Sequence, residues 1–273
     1  MGVSISGFVT TALAFVRARW GVLLLASLIS VLPGQVYSWL TYLDLLPNLH
    51  VWFQNALLPA PDFAGYDTVS LIIYWLQRSG LSQIFNLLLY GVFISTAVAV
   101  VSVTAVAWKK DEFLTPKSLI EKVLPGILPV WLYLLCAFVL FGFAFILFVI
   151  PYIYLSVVCF VAAFAAADKR LWPLGAIRKS FELTRGARWF ILCFVVASLL
   201  LSALQSAVRT AVLQMVMSSG FDRETVLIGY KVINSIWAFL KHYVEMVIVA
   251  SVYVVLLRSH EGPSSVEVAE AFD

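Results

Sequence analysis

The chain has 273 residues, 62% of them hydrophobic and 12% charged, with a mean hydropathy of +0.97 and a formal net charge of +3. Soluble globular domains carry about 25% charged residues, so a chain of this makeup would leave apolar surface uncovered in water, and a soluble domain is excluded. Lys and Arg stand in short clusters at the ends of apolar runs instead of on a face with aromatic or donor readers, which argues against nucleic acid as a partner.

Arg17 and Arg19 precede the first apolar run as the start of a signal peptide would, but the run continues past Pro33 and Gly34 to Leu46 without a convincing A-x-A site, so a retained first span is expected. The next polar interruption, about residues 44 to 70, holds Pro47, Pro59, Pro61, Asp62, Gly65 and Asp67 and reads as an external loop. Leu71 to Leu76, with Trp75, reads as a short segment lying at the outer interface. The 43 residues from Pro125 to Ala167 contain no Asp, Glu, Lys, Arg or His. One helix of that length would run roughly 65 Å, twice the hydrocarbon thickness of a bilayer, so the stretch must fold back once. The sixth span is interrupted by Lys241, His242 and Glu245, yet without it Met246 to Leu257 would be too short to cross and too apolar for water.

These runs predict an all-α membrane protein with six transmembrane helices at about 20–42, 84–108, 126–147, 150–167, 189–212 and 234–257. Together they form a single polytopic domain over 1–258, and residues 259–273 form a short acidic, disordered tail. With the amino terminus in the cytoplasm, thirteen of the eighteen basic residues fall on the inner side and five on the outer: Arg78, Arg209, Arg223, Lys231 and Lys241. The positive-inside rule therefore predicts both termini in the cytoplasm.

Two inner clusters carry amphipathic elbows. Residues 115 to 124 begin with Thr115 as candidate N-cap and Pro116 at the first helical position, and put Leu119, Ile120, Val123 and Leu124 on one face, with Lys117 and Lys122 among them. Residues 173 to 185 put Leu174, Ile177 and Phe181 on one side and Arg178, Glu182 and Arg185 on the other, with Lys179 and Arg188 nearby. Both are expected to lie in the cytoplasmic headgroup region. Aligning Trp20, Trp131 and Trp189 superposes the elbows, places Phe8, Leu119 and Ile177 twelve positions upstream, and matches Ala-Arg-Trp at 18–20 with 187–189. The pattern predicts three parallel repeats of an elbow helix followed by a helical hairpin. The alternative is that Trp merely anchors each span at the interface.

Ile150-Pro151-Tyr152-Ile153-Tyr154-Leu155, followed by Ala176-Ile177-Arg178-Lys179-Ser180-Phe181-Glu182-Leu183-Thr184-Arg185-Gly186-Ala187-Arg188-Trp189, resembles the membrane domain appended to some bacterial glycerophosphodiester phosphodiesterases. It is also similar to the YciC-like inner-membrane proteins of unknown function, with Tyr152 where that family often has Gly. The resemblance implies a six-helix bacterial inner-membrane protein and supplies no catalytic residue. Phosphodiesterase chemistry belongs to a separate soluble barrel that no stretch here could form.

Chemistry has few candidates. The histidines are His50, His242 and His260, and no H-E-x-x-H, G-x-S-x-G, Walker A or G-x-G-x-x-G motif occurs, so no enzyme, metal or cofactor is expected. Cys136, Cys159 and Cys193 lie within apolar runs without metal or redox spacing and read as small buried hydrophobes. Small residues in span two, Ser95 to Ala105, and Ala162 to Ala167 in span four read as packing surfaces.

One polar constellation remains. Lys241 and Glu245 share a helical face, and counting from Arg258 puts them roughly 25 and 20 Å from the inner boundary. Arg209 falls at about the same outer level, so Arg209, Lys241, His242 and Glu245 form a candidate intramembrane polar pocket, with Gln205 and Asn86 as possible neighbours. It reads either as a site for a phospholipid headgroup or other anion, or as an ion pair locking spans five and six. Expected partners are membrane lipids with anionic headgroups, gripped by Lys117, Lys122, Arg178, Lys179, Arg185 and Arg188. The functional expectation is a non-enzymatic, lipid-binding or membrane-organising protein. The alternatives are a transporter or lipid translocase using the outer pocket, and an accessory subunit of a membrane protein complex.

Overall fold

The structure, a computed structural model, describes residues 5–43, 68–147, 149–218 and 223–261. Lipid offers no partner to backbone N–H and C=O groups, so each span must satisfy them internally. All regular structure among the described residues is helical: α1 (Ile5–Tyr42), α2 (Thr68–Lys109), α3 (Pro116–Leu147), α4 (Val149–Val158), α5 (Ala162–Lys169), α6 (Pro173–Thr184), α7 (Arg188–Ser218) and α8 (Arg223–Glu261). Among the described residues six helical stretches are long and apolar enough to cross a membrane: Val9–Leu40, Tyr90–Lys109, Pro116–Ala144, Ile150–Lys169, Arg188–Val208 and Ile228–His260. The chain is an all-α, multi-pass membrane protein.

The spans close a ring in which neighbours touch in the order α1, α2, α3, α4, α7, α8 and back to α1. The uncharged stretch folds back once, as its length requires. Phe141 meets Tyr152 with ring centroids 5.8 Å apart, the Tyr133 hydroxyl reaches the Cys159 carbonyl at 3.3 Å, and Gly126 lies against Ala167, so the two arms run antiparallel. α5 wedges between α2 and α3, and α6 crosses the end of the bundle against α3, α4, α5 and α8. At that end Phe15 packs edge-on against Trp108 at 5.4 Å, Arg258 lies 4.5 Å over the Trp108 ring, and Lys109 Nζ donates to the Leu257 carbonyl at 3.2 Å. Lys109, Lys169 and Arg258 belong to this end.

The structure departs from the sequence reading in several elements. Leu71 to Leu76 is not a separate interfacial segment: it belongs to the first turns of α2, whose 42 residues would extend roughly 63 Å. The elbow at 115–124 is not a separate helix either. Thr115 does cap it, accepting from the Ser118 N–H at 3.2 Å, but the helix then runs through Pro125 and Pro129 into span three, and Trp131 lies well inside it. The corresponding tryptophans of spans one and five do follow a break: Arg19 leaves helical geometry (φ −128°, ψ 15°) before Trp20, and a turn at 185–187 precedes α7. Span four is not continuous, because Cys159–Val161 forms a turn between α4 and α5. Helix α8 includes Ser259 to Glu261, which the sequence reading gave to the tail, and 262–273 lie outside the described residues, as do the loop residues 44–67 with His50.

Packing is dense at the basic end and loosens away from it. On α8 every residue from Ala250 to Leu257 is buried, and none from Ile228 to Val249. Among the described side chains, α7 has no buried residue beyond Val195, α1 none beyond Val31, and α4 none before Val157. Counted from Arg258, Arg188, Arg19 and Lys169, the dense layer is roughly 10–18 Å deep, about half of a hydrocarbon core. Only α2 and α3 stay buried further out, to Gly91 and Ala144. Lipid tails provide no hydrophobic drive between helices, so close approach of small residues must hold this layer. Ser95, Ala97, Ala99, Ser102 and Ala105 on α2 and Ala162 and Ala165 to Ala167 on α5 are all buried, and Ser102 Oγ donates to the Phe164 carbonyl at 2.9 Å. Of the cysteines, Cys159 is buried as expected, whereas Cys136 and Cys193 lie on exposed faces.

Candidate functional sites at the two ends of the bundle

Helix α6 begins with Pro173 at its first position, where the missing N–H costs nothing, and presents three sectors. Ala176, Ser180, Leu183 and Thr184 are buried against the bundle. Leu174 and Phe181 are exposed and apolar, while Arg178, Glu182 and Arg185 are exposed and charged, with Lys179 half-buried beside them. The sequence reading separated Leu174 and Phe181 from the charged sector, but Ile177, which it grouped with them, is half-buried against the core, and it missed that the bundle takes a third, small and partly polar sector. Spacing alone could have found it, because Ala176, Ser180 and Leu183 stand at the i, i+4, i+7 positions of one stripe.

Each predicted headgroup-binding cation has a place. Lys122 Nζ lies 2.6 Å from Glu112, and this contact holds the Glu112 carboxyl below its ordinary range. Glu182 takes Arg178 at 3.7 Å and Lys179 at 3.5 Å. Lys117 and Arg185 are exposed. The Arg188 guanidinium lies 4.2 Å from the Phe181 ring centroid and 6.0 Å from that of Tyr154. Trp189 beside it is 82% exposed, and Trp20, in the matching position of span one, 60%. Two further contacts lock this end, the first of them hidden from sequence spacing. The Tyr253 hydroxyl donates to Asp168 Oδ2 at 3.0 Å, joining α8 to α5, and Lys169 lies 3.6 Å from the same oxygen.

In the loosely packed half, Glu245 is the centre of a triad on α8. Lys241 Nζ lies 3.8 Å from Oε1 and His242 Nδ1 3.2 Å from Oε2, so each carboxylate oxygen has one nitrogen partner. The side chains are 30% exposed at Lys241, 44% at His242 and 36% at Glu245. Glu245 stands just over one turn beyond Ala250, where dense packing ends. The backbones at Arg209, Gln205 and Asn86 are helical, but these side chains lie outside the described residues. A second polar join follows on the same face of α8: Lys231 Nζ donates to the Ser38 carbonyl at 2.6 Å, and Ser235 Oγ donates to Gln35 Oε1 at 2.7 Å. Among the described residues no three His, Cys, Asp or Glu side chains converge as metal ligands.

Comparison with protein-family models, with curated proteins and with solved structures finds no match for this chain.

Proposed function

We propose that the chain is a non-enzymatic, multi-pass protein of a bacterial cytoplasmic membrane that binds lipid, taking anionic phospholipid headgroups at its basic end. The three-sector surface of α6 carries this reading. With one sector fixed to the bundle, an exposed apolar sector and an exposed cationic sector are satisfied together only where acyl chains meet headgroups. There each Lys or Arg facing an anionic surface contributes about 1 kcal/mol. The charge asymmetry of the chain assigns the basic end to the cytoplasmic leaflet. Mass spectrometry of the protein after gentle extraction should find anionic phospholipid retained through delipidation. Protein free of lipid but carrying a stoichiometric protein partner would replace this reading with that of an accessory subunit.

The triad supports a second reading. Ionisable groups at this depth mark solute or proton paths when water reaches them, and Lys241, His242 and Glu245 are all partly exposed. A transporter or lipid translocase using this site would lose flux in proteoliposomes when Glu245 is replaced by Gln. Unchanged flux would leave the triad a structural ion cluster.

A further inference from the structure

We propose that the corner where α4, α6 and α7 meet is a discrete site for the phosphodiester of a membrane phospholipid, with the Arg188 guanidinium at its centre. The proposal rests on the lipid-binding reading above and narrows it from a charged end to one side chain and its aromatic bed.

Arg188 opens α7 directly after the turn that ends the elbow. Its guanidinium lies over the ring of Phe181, at 4.2 Å, and over that of Tyr154, at 6.0 Å, which attract it through their faces. Nε and Nη2, one side of the guanidinium fork, are closed off and have no hydrogen-bond acceptor, so the fork meets an anion only when the side chain turns outward. No carboxylate neutralises this charge among the described residues. Glu182 is engaged by Arg178 and Lys179, Asp168 by Tyr253 and Lys169, and Glu112 by Lys122. A cation held at the edge of hydrocarbon calls for an anion from outside the chain, and guanidinium matches phosphate oxygens in geometry as well as charge.

The surroundings fix which phosphate. Trp189 is exposed beside Arg188, and Trp settles at the membrane–water interface, the level of lipid phosphates. Apolar surface leads away from the corner for acyl chains: Tyr154 and Ile150 stand one turn apart on α4, and Trp189 and Val196 two turns apart on α7, all exposed. The junction also occurs twice. In Ala18-Arg19-Trp20, Arg19 sits at the break in α1, its Nε is likewise closed off without an acceptor, and Trp20 is exposed.

The test is native mass spectrometry of the full chain in detergent micelles, titrated with phosphatidylglycerol, with phosphatidylcholine, and with phosphatidylglycerol in the presence of excess inorganic phosphate. Wild type should retain a first phosphatidylglycerol in preference to phosphatidylcholine, undiminished by inorganic phosphate. Arg188→Lys keeps the charge but loses the planar fork, and Phe181→Leu keeps Arg188 but removes its bed. Each should weaken that first binding about tenfold, the scale of one charge-assisted contact. If Arg188→Lys does not fold, judged by its melting curve without lipid, Phe181→Leu carries the test. Variants that bind as wild type overturn the site while leaving the broader lipid reading intact, and displacement by inorganic phosphate overturns it in favour of a free anion. A wild-type protein that holds no lipid defeats the broader reading itself.

Discussion

Ser180 Oγ donates to the carbonyl oxygen of Val158 across 2.5 Å, and this contact accounts for the break in span four. At Cys159–Val161 the helical ladder is interrupted and carbonyls at the end of α4 lose their partners. Ser180, fully buried on α6, takes that of Val158, while the Cys159 carbonyl accepts from the Ala162 N–H at 3.0 Å and also from the Tyr133 hydroxyl. A non-helical turn in apolar surroundings persists only when other elements satisfy its backbone. Ser180→Ala should therefore leave a buried acceptor unpaired and cost about 1–3 kcal/mol. Thermal unfolding in detergent reads this directly, and an unchanged midpoint would show that the break is held by other means.

Gly126 lets α3 approach α5 closely. A methyl group built there would stand 3.1 Å from the Ala167 carbonyl oxygen, a backbone atom that cannot swing aside. Gly126→Leu should separate the helices and destabilise the fold by about 1–3 kcal/mol, the usual cost of overpacking. Gly142, with open space around the corresponding position, is the internal control: Gly142→Leu should leave the melting point near wild type or raise it.

What the sequence made legible follows from the solvent. Uncharged runs long enough to cross define five of the six spans, and the absence of charge from Pro125 to Ala167 forces the hairpin, because hydrocarbon excludes charge whatever the tertiary structure. The break at Cys159-Phe160-Val161 was not legible, since it contains neither Pro nor Gly and its stabilising groups come from Tyr133 and Ser180 elsewhere in the chain. The bundle-facing side of α6 was legible as a stripe of spacing but not as the buried one. In water the apolar face is the buried one, but at a lipid interface Leu174 and Phe181 stay exposed while Ser180 and Thr184 turn inward. Lys241, His242 and Glu245 could be grouped because they share one helix, whereas a partner such as Arg209 on another helix depends on rotations that spacing does not specify.

Arg170 ends α5 in the left-handed region (φ 52°, ψ 39°), with its N–H donating to the Ala166 carbonyl. The position suits glycine, because any Cβ there crowds the following carbonyl at a cost of roughly 1–2 kcal/mol. Arg170→Gly should raise stability by about 0.5–1 kcal/mol, the strain relief being partly offset by glycine's greater freedom in the unfolded chain. A lower melting point would mean that the Arg170 side chain contributes more than its backbone costs.

Glu112, in the connection between α2 and α3, has its carboxyl held below the ordinary value of 4.5 by the hydrogen bond from Lys122. A depressed carboxylate contributes stability above its unfolded value and loses it as pH falls through the folded one. The contribution should therefore be intact at neutral pH and disappear on acidification below about 4.5. Both side chains are largely solvated, which keeps the effect to about 1 kcal/mol or less. Melting curves of wild type and Glu112→Gln should differ at neutral pH and converge in acid. A constant gap across that range would remove the ion pair as its cause.

The triad on α8 tests whether the loosened half of the bundle admits water. A dry ion pair is strongly destabilised by removing one partner, typically by about 3–5 kcal/mol, because the remaining charge stays buried. A solvated pair costs about 1 kcal/mol or less. No residue from Ile228 to Val249 is buried by protein, and the three side chains are 30–44% exposed, so where water reaches this surface the second regime applies. Glu245→Gln and Lys241→Met should each shift stability by about 1 kcal/mol or less. A cysteine placed at Glu245 should react with a membrane-impermeant maleimide, because a thiol alkylates as thiolate and needs water to ionise. Large losses together with an unreactive thiol would show that a partner or lipid seals this half, and the triad would then be an interhelical lock instead of a solvated site.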